Sequence, residues 1–266
     1  MKFPDRLFDT VIVRPPSITF NKCVSGNPLK ATVDVNLAKK QHEEYIKILL
    51  ENGVEVIKLK SIDQFPDSVF IQDTALIGLK SKRALIARFG EVSRRGEEED
   101  IAILLNEKGF EVFRVEAPGT IEGGDLMITD LGVIYVGLSR RTNIEGIKQL
   151  MKIFPRELVI ATPIDKTFHL LGGVNYIGNK TIIIAPSLVD LRYFEGLKMI
   201  IVPEEEEYAS NVLYIGDGKI IVPAGYEKTI EKLRREGFKP IEVDISEFWK
   251  CDGGVTCLSL PMYKTI

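Results

Sequence analysis

Apolar positions along this chain fall into short runs that alternate with turn residues, and into longer stretches with helical spacing. "FDTVIV" (8–13) predicts a strand. "VDVNLAKKQHEEYIKILLENG" (33–53) places Leu37, His42, Ile46, Leu49 and Leu50 near one helical face, with Gly53 as its stop, and "VEVIKL" (54–59) predicts the next strand. Five segments then read as hairpins: "FIQDTALIGLKSKRALIAR", "GGDLMITDLGVIYVGL", "GGVNYIGNKTIIIAP", "SNVLYIGDGKIIVPA" and "GGVTCLSL". The middle three carry turn chemistry in "TDLG", "GNK" and "GDGK". Helices are expected at about 93–109, 142–154, 187–196 and 226–237, each followed by a strand: "EVFRVE", "ELVIA", "KMIIV" and "KPIEVDI". The unit is hairpin, helix, strand, and it recurs every roughly 40–55 residues. The last hairpin is half missing, and "FDTVIV" can supply its other half, closing a ring of five units without open sheet edges. The expected class is therefore α/β, in one domain over 1–266, with no linker or composition break.

Composition narrows the function classes. Hydrophobic residues make up 45% of the 266 residues and charged residues 27%, with a net charge of −3. A nucleic-acid-binding surface would be strongly basic, so no nucleic-acid partner is expected. No apolar run approaches the roughly 18 residues of a membrane span, and "MKFPDRLFDT" lacks the apolar core of a secretory signal. Three cysteines without dense spacing argue against a disulfide framework and for a reducing, cytoplasmic location. The weight of Lys, Glu, Ile and Val fits a thermophile's protein.

The polar residues that interrupt apolar strands are the chemical signal. His42 falls on the expected helix at 33–53, where a half-buried structural role is expected; His169, in "TFHLLGGVN", opens a hairpin and is the better acid/base candidate. Asp73 in "FIQDTALI", Glu122 and Asp125 in "IEGGDLMI", Asn211 in "ASNVLYI", and Asp252 with Cys257 in "CDGGVTCL" take comparable places in the other units. In a ring, five such mouths converge on one pocket. Buried acids there need a cationic partner, and a planar guanidinium suits carboxylates that grip in bidentate fashion. A thiol beside a histidine points to nucleophilic catalysis. No spacing supports a zinc site, so no metal and no cofactor are expected. "RFGEVSRRGEEED" and "GLSRRTN" each offer an arginine pair, as solvated surface or as a clamp for a substrate carboxylate. "PPSITFNKCVSGNP" (15–28) reads as a Gly/Pro-punctuated cover over the pocket.

The motifs "VFIQDTALI", "SRR", "EGGD", "VGLSRRTN", "HL" and "DGGVTC", in this order, resemble the dimethylarginine dimethylaminohydrolases of the guanidino-modifying superfamily. The resemblance implies a five-bladed α/β propeller. It implies Cys257 as nucleophile, His169 as general acid/base and Glu122 as the acid that orients the histidine. It places Asp73 on the guanidinium, Asp67, Arg94 and Arg141 at the amino-acid end of the substrate, and Asp252 close by. Gln72 stands where this family usually has Glu, which removes a negative charge beside the expected cation and keeps plain arginine in play. The implied substrate is a guanidino amino acid. Arginine deiminase, an amidinotransferase and a non-catalytic binding propeller are the alternatives, and association as a homodimer is left open.

Overall fold

Alternating apolar residues pair into four sheets in the computed structural model, which describes residues 3–79 and 81–264. Lys80, in the turn of the first expected hairpin, and the two residues at each terminus lie outside the described residues. Strand β1 (Phe8–Val13) leads through a long segment to helix α1 (Val35–Glu51) and strand β2 (Glu55–Lys58). Asp34 caps α1 by accepting from the Asn36 and Leu37 N–H groups.

Then come β3 (Ala75–Gly78), β4 (Arg83–Ile86), α2 (Glu99–Glu107) and β5 (Glu111–Arg114). A second unit holds β6 (Leu126–Ile128), β7 (Val133–Leu138), α3 (Ile144–Ile153) and β8 (Leu158–Pro163). The third holds β9 (Val174–Tyr176), β10 (Thr181–Ile184) and β11 (Lys198–Ile201). The fourth holds β12 (Leu213–Gly216), β13 (Lys219–Pro223), α4 (Glu227–Arg235) and β14 (Lys239–Val243). Helix α5 (Ser246–Trp249) and strand β15 (Leu260–Tyr263) end the chain.

Every unit has the same register logic: an antiparallel hairpin with a third strand parallel to its second member. The fifth unit is completed as expected, with β15 antiparallel to β1 and β1 parallel to β2. A single parallel pairing, Met262 with Ile77, joins this unit to the first in one six-stranded sheet. Five apolar clusters fill the interfaces between successive units. The cluster of Ile12, Ile77, Ile86 and Leu260 links fifth to first and closes the ring. The architecture is a five-bladed α/β propeller.

Three expectations need correction. The stretch at 187–196 forms only a 3₁₀ turn, Leu191–Phe194, because Pro186 and the Asp190 side chain, which accepts from the Arg192 N–H, favour a turn over a helix. Cys257 lies in a 3₁₀ turn, Thr256–Leu258, rather than in a strand. His42 is fully buried rather than half-buried.

Candidate active site

The first strand of each unit is entered through a 3₁₀ turn, and these turns carry the polar residues singled out above. Asp73 lies in Ile71–Thr74, Asp125 in Gly123–Asp125 with Glu122 just before it, and Cys257 in Thr256–Leu258. His169 caps Leu170–Gly172, and Asn211 follows Glu204–Ser210. Ring geometry brings them together at one end of the axis. A cavity of about 40 Å³ there is lined by Cys257, His169, Asp73, Asp67, Arg94 and Arg141, with Asp252 and Val24 at its rim.

Carboxylates surround the imidazole. His169 Nε2 lies 2.8 Å from Glu122 Oε2, and Nδ1 lies 3.7 Å from Asp73 Oδ1. Glu122 is buried, and its other oxygen accepts from the Gly90 N–H at 2.9 Å. Asp125 accepts from the Leu170 N–H at 3.0 Å and from Ser139 Oγ at 2.7 Å, fixing the backbone beside the histidine. Gly124 is needed for close approach: a Cβ there would lie 2.7 Å from both Asp73 Oδ1 and His169 Nδ1.

These contacts set the charges. Burial alone favours a neutral imidazole, but the Asp73, Glu122 and Asp125 carboxylates outweigh it and hold the His169 pKa up at about 9. Burial likewise opposes ionisation of Glu122, but the hydrogen bond and charge of His169, with Arg94 and Arg141 nearby, hold its pKa well below the usual range. Burial, and then the charge of Asp73, push the Cys257 thiol up to about 12, although the Gly254 N–H reaches Sγ at 3.3 Å. The thiol is therefore protonated at neutral pH until a cation arrives. Asp73, Glu122 and His169 could geometrically hold a metal ion. The Arg94 and Arg141 guanidiniums compete for the same carboxylates.

One expected substrate contact is corrected. Gln72 is buried but absent from this cavity; it faces Tyr263 and Leu126 across a separate cavity of about 50 Å³ deeper along the axis. In the 3₁₀ turn Ile71–Thr74 successive side chains stand about 120° apart, so placing Asp73 in the site turns Gln72 out of it. Arg94 lines the cavity with its guanidinium already paired: Nη1 donates to Asp73 Oδ2 at 2.7 Å, Nη2 to Glu97 Oε2 at 2.9 Å, and the guanidinium stacks on Phe89. A buried guanidinium has to be paired, and these acids pair it. Arg141 also lines the cavity, with Nη1 buried and without a hydrogen-bond partner among the described residues, 3.7 Å from Glu91 and 3.8 Å from Glu122.

Asp67 and Asp252 hold the cover. Both Asp67 oxygens accept from the Val24 N–H, at 3.1 and 3.0 Å. Asp252 Oδ2 accepts from Ser25 Oγ at 2.5 Å and from the Gly26 N–H at 3.2 Å. Beside them Cys23 and Cys251 form a disulfide, against the expectation of none. The ring brings together two cysteines 228 residues apart, a pairing that spacing along the chain cannot reveal. Glu97, missed in the sequence, had one available signal: it lies three residues after Arg94. Val24, in the segment expected as a cover, is among the residues that line the cavity.

A family model described as eukaryotic N,N dimethylarginine dimethylhydrolase matches residues 18–264. A protein of Aeropyrum pernix, described only as uncharacterized, is 42% identical over 98% of both chains. The N(G),N(G)-dimethylarginine dimethylaminohydrolase of Pseudomonas aeruginosa is 37% identical over 96% of this chain and 99% of its own. A solved structure of the Pseudomonas aeruginosa enzyme, a cysteine-to-serine mutant complexed with citrulline, superimposes with a TM-score of 0.89. It is 36% identical and covers 96% of this chain and 99% of that one.

Proposed function

The chain belongs to the dimethylarginine dimethylaminohydrolase family, and from that premise we propose how its one catalytic domain, 1–266, hydrolyses the guanidino group of arginine derivatives to citrulline and an amine. The reading rests on one observation above all: His169, paired with the buried Glu122 at 2.8 Å, lines a cavity that also holds Cys257 and Asp73.

The substrate guanidinium settles on Asp73, and its charge lowers the pKa of Cys257 Sγ. The thiolate attacks the guanidinium carbon, forming a C–S bond. The C–N bond to the departing nitrogen breaks as His169 gives that nitrogen its proton, with Glu122 holding the ring in place. The now neutral His169 takes a proton from water, hydroxide adds to the same carbon, and the C–S bond breaks to return the thiolate as the added hydroxyl gives up its proton to solvent. A ureido group, that of citrulline, is left. Acid/base catalysis supplies about 10²–10⁴ in rate, leaving the remainder to covalent catalysis and positioning.

Arg141, whose buried Nη1 lacks a partner among the described residues, takes the substrate carboxylate. Asp67 and Asp252 act on the amino-acid end through the cover they hold. Gln72 lies off the cavity, so its departure from Glu carries no weight for plain arginine over a methylated one. A dimethylated arginine is the leading substrate. The test is to incubate the protein separately with asymmetric dimethylarginine and L-arginine and to measure citrulline, dimethylamine and ammonia. Dimethylamine in the first arm supports the reading; ammonia from the second arm alone gives arginine deiminase, and silence in both sinks hydrolysis.

Among the described residues no helix is long and apolar enough to cross a membrane. A cytoplasmic location belongs to the same proposal, with the Cys23–Cys251 disulfide fitting the intracellular disulfides of hyperthermophiles. So does a homodimer, tested by light scattering.

A further inference from the structure

Three of the five equivalent turns bring a reactive group to the cavity, Asp73, His169 and Cys257, and the second brings Glu122 against His169; the fourth unit brings Asn211, which does not line the cavity. Its side chain is buried and bonded at both its oxygen and its nitrogen. Oδ1 accepts from the Thr256 N–H at 2.9 Å and from Thr256 Oγ1 at 3.2 Å, directly before Cys257. Nδ2 donates to the Leu171 carbonyl at 3.1 Å, two residues after His169. A Cβ on Gly254 would overlap the Asn211 amide, so the second glycine of "DGG" is there to admit it. Gly254 is also the residue whose N–H reaches Cys257 Sγ. The first glycine of the pair is explained likewise: a Cβ on Gly253 would overlap the Phe70 ring. The Gly-Gly step, read from the sequence as a kink, is a double close approach.

We propose that Asn211 is a positioning residue: its amide ties the turn that presents Cys257 to the turn that presents His169. The proposal rests on the roles assigned above to those two residues. Only a planar amide supplies an acceptor on one side and a donor on the other at this size. Aspartate keeps the acceptor for Thr256 but sets an oxygen against the Leu171 carbonyl. Alanine releases both turns, although Leu171 O stays held by Asn175 Nδ2 at 2.7 Å, which favours survival of the fold.

The test uses Asn211→Ala and the isosteric Asn211→Asp in the intact protein, at a temperature where circular dichroism shows both folded. A misplacement on the order of 1 Å costs about 10²-fold, so kcat on the active guanidino substrate is expected to fall about 10–100-fold with KM within about twofold. A second readout needs no substrate: the pH profile of Cys257 alkylation by iodoacetamide. Across pH 7–10, below the titration of the thiol, the rate is expected to fall about threefold or more in both variants as the Gly254 N–H leaves the sulfur. A role in stability alone would lower the melting temperature and leave kcat and the alkylation profile unchanged, which overturns the proposal. A drop in kcat accompanied by a tenfold rise in KM also overturns it, since it marks a substrate contact. If the wild-type protein turns over no guanidine, the functional reading fails and the alkylation profile alone decides for Asn211. If Asn211→Ala does not fold, Asn211→Asp decides.

Discussion

The chain has two histidines, both enclosed by protein, and their surroundings are opposites. His169 sits among the Asp73, Glu122 and Asp125 carboxylates, which keep it charged. His42, on α1, has no hydrogen-bond partner at either ring nitrogen among the described residues, and burial, with a smaller contribution from the charge of Lys58, drives its pKa down to about 3. Its ring packs against Phe248, which packs in turn on Phe20 and Phe70, beneath the cover and beside the disulfide. One region keeps charge inside the protein for chemistry; the other excludes charge and anchors the cover. Edits in the first should therefore act on kcat and edits in the second on stability and KM.

The largest effect belongs to Cys257→Ser. A serine hydroxyl cannot take over attack on the guanidinium carbon, and citrulline formation should fall by about 10⁴-fold or more with the melting temperature nearly unchanged. Full turnover by that variant would remove the first region's chemical role. Next comes Glu122→Gln, which keeps the size of the side chain but loses the charge paired with His169 at 2.8 Å. Here kcat should drop about 10²-fold or more, while His169 titrates closer to 6.5. An unchanged histidine titration, followed by NMR, would sink the assignment of Glu122.

The disulfide sharpens the contrast from the other side. Closing a loop of 228 residues constrains the unfolded chain strongly, so Cys23→Ser should cost about 2–5 kcal/mol of stability, read as a lower melting temperature or denaturant midpoint. Freed at Cys23, the cover still has Asp67 and Asp252, and KM should move severalfold while kcat stays within about twofold. A collapse of kcat equal to that of Cys257→Ser would show that the cover is part of the chemistry after all.

Repetition explains why so much was legible beforehand. Each unit buries its hairpin against the next, so the apolar runs recur and the polar interruptions fall at matching places; Asp73, Glu122, His169 and Cys257 could be gathered from that pattern and from the family resemblance. What escaped depends on distance and side-chain direction. Nothing local to Cys23 or Cys251 says that they meet. Gln72 and Asp73 are neighbours in sequence but face different cavities. That Arg94 meets the cavity already paired to Glu97 and Asp73 depends on the fold and not on any local spacing. The helix expected at 187–196 failed for a local reason, a turn-forming Asp190.

The smallest effect is the most direct test of the comparison, because the two histidines tilt stability against pH in opposite directions. His42 is held at about 3 in the fold against 6.5 when unfolded, so the unfolded chain binds more protons between those values and stability falls as pH drops below about 6.5. Between pH 7 and pH 5 the loss is about 2 kcal/mol. For His169 the sign reverses. Its pKa is raised, so the stability it contributes is fully present below about 6.5 and is lost as pH rises through about 9. Chemical denaturation across pH 5–9 should give a dome whose acid limb flattens in His42→Leu and whose alkaline limb flattens in His169→Asn. If His42→Leu leaves the acid limb as steep as before, the carboxylates of the first region control both limbs, and the division of labour between the two histidines is wrong.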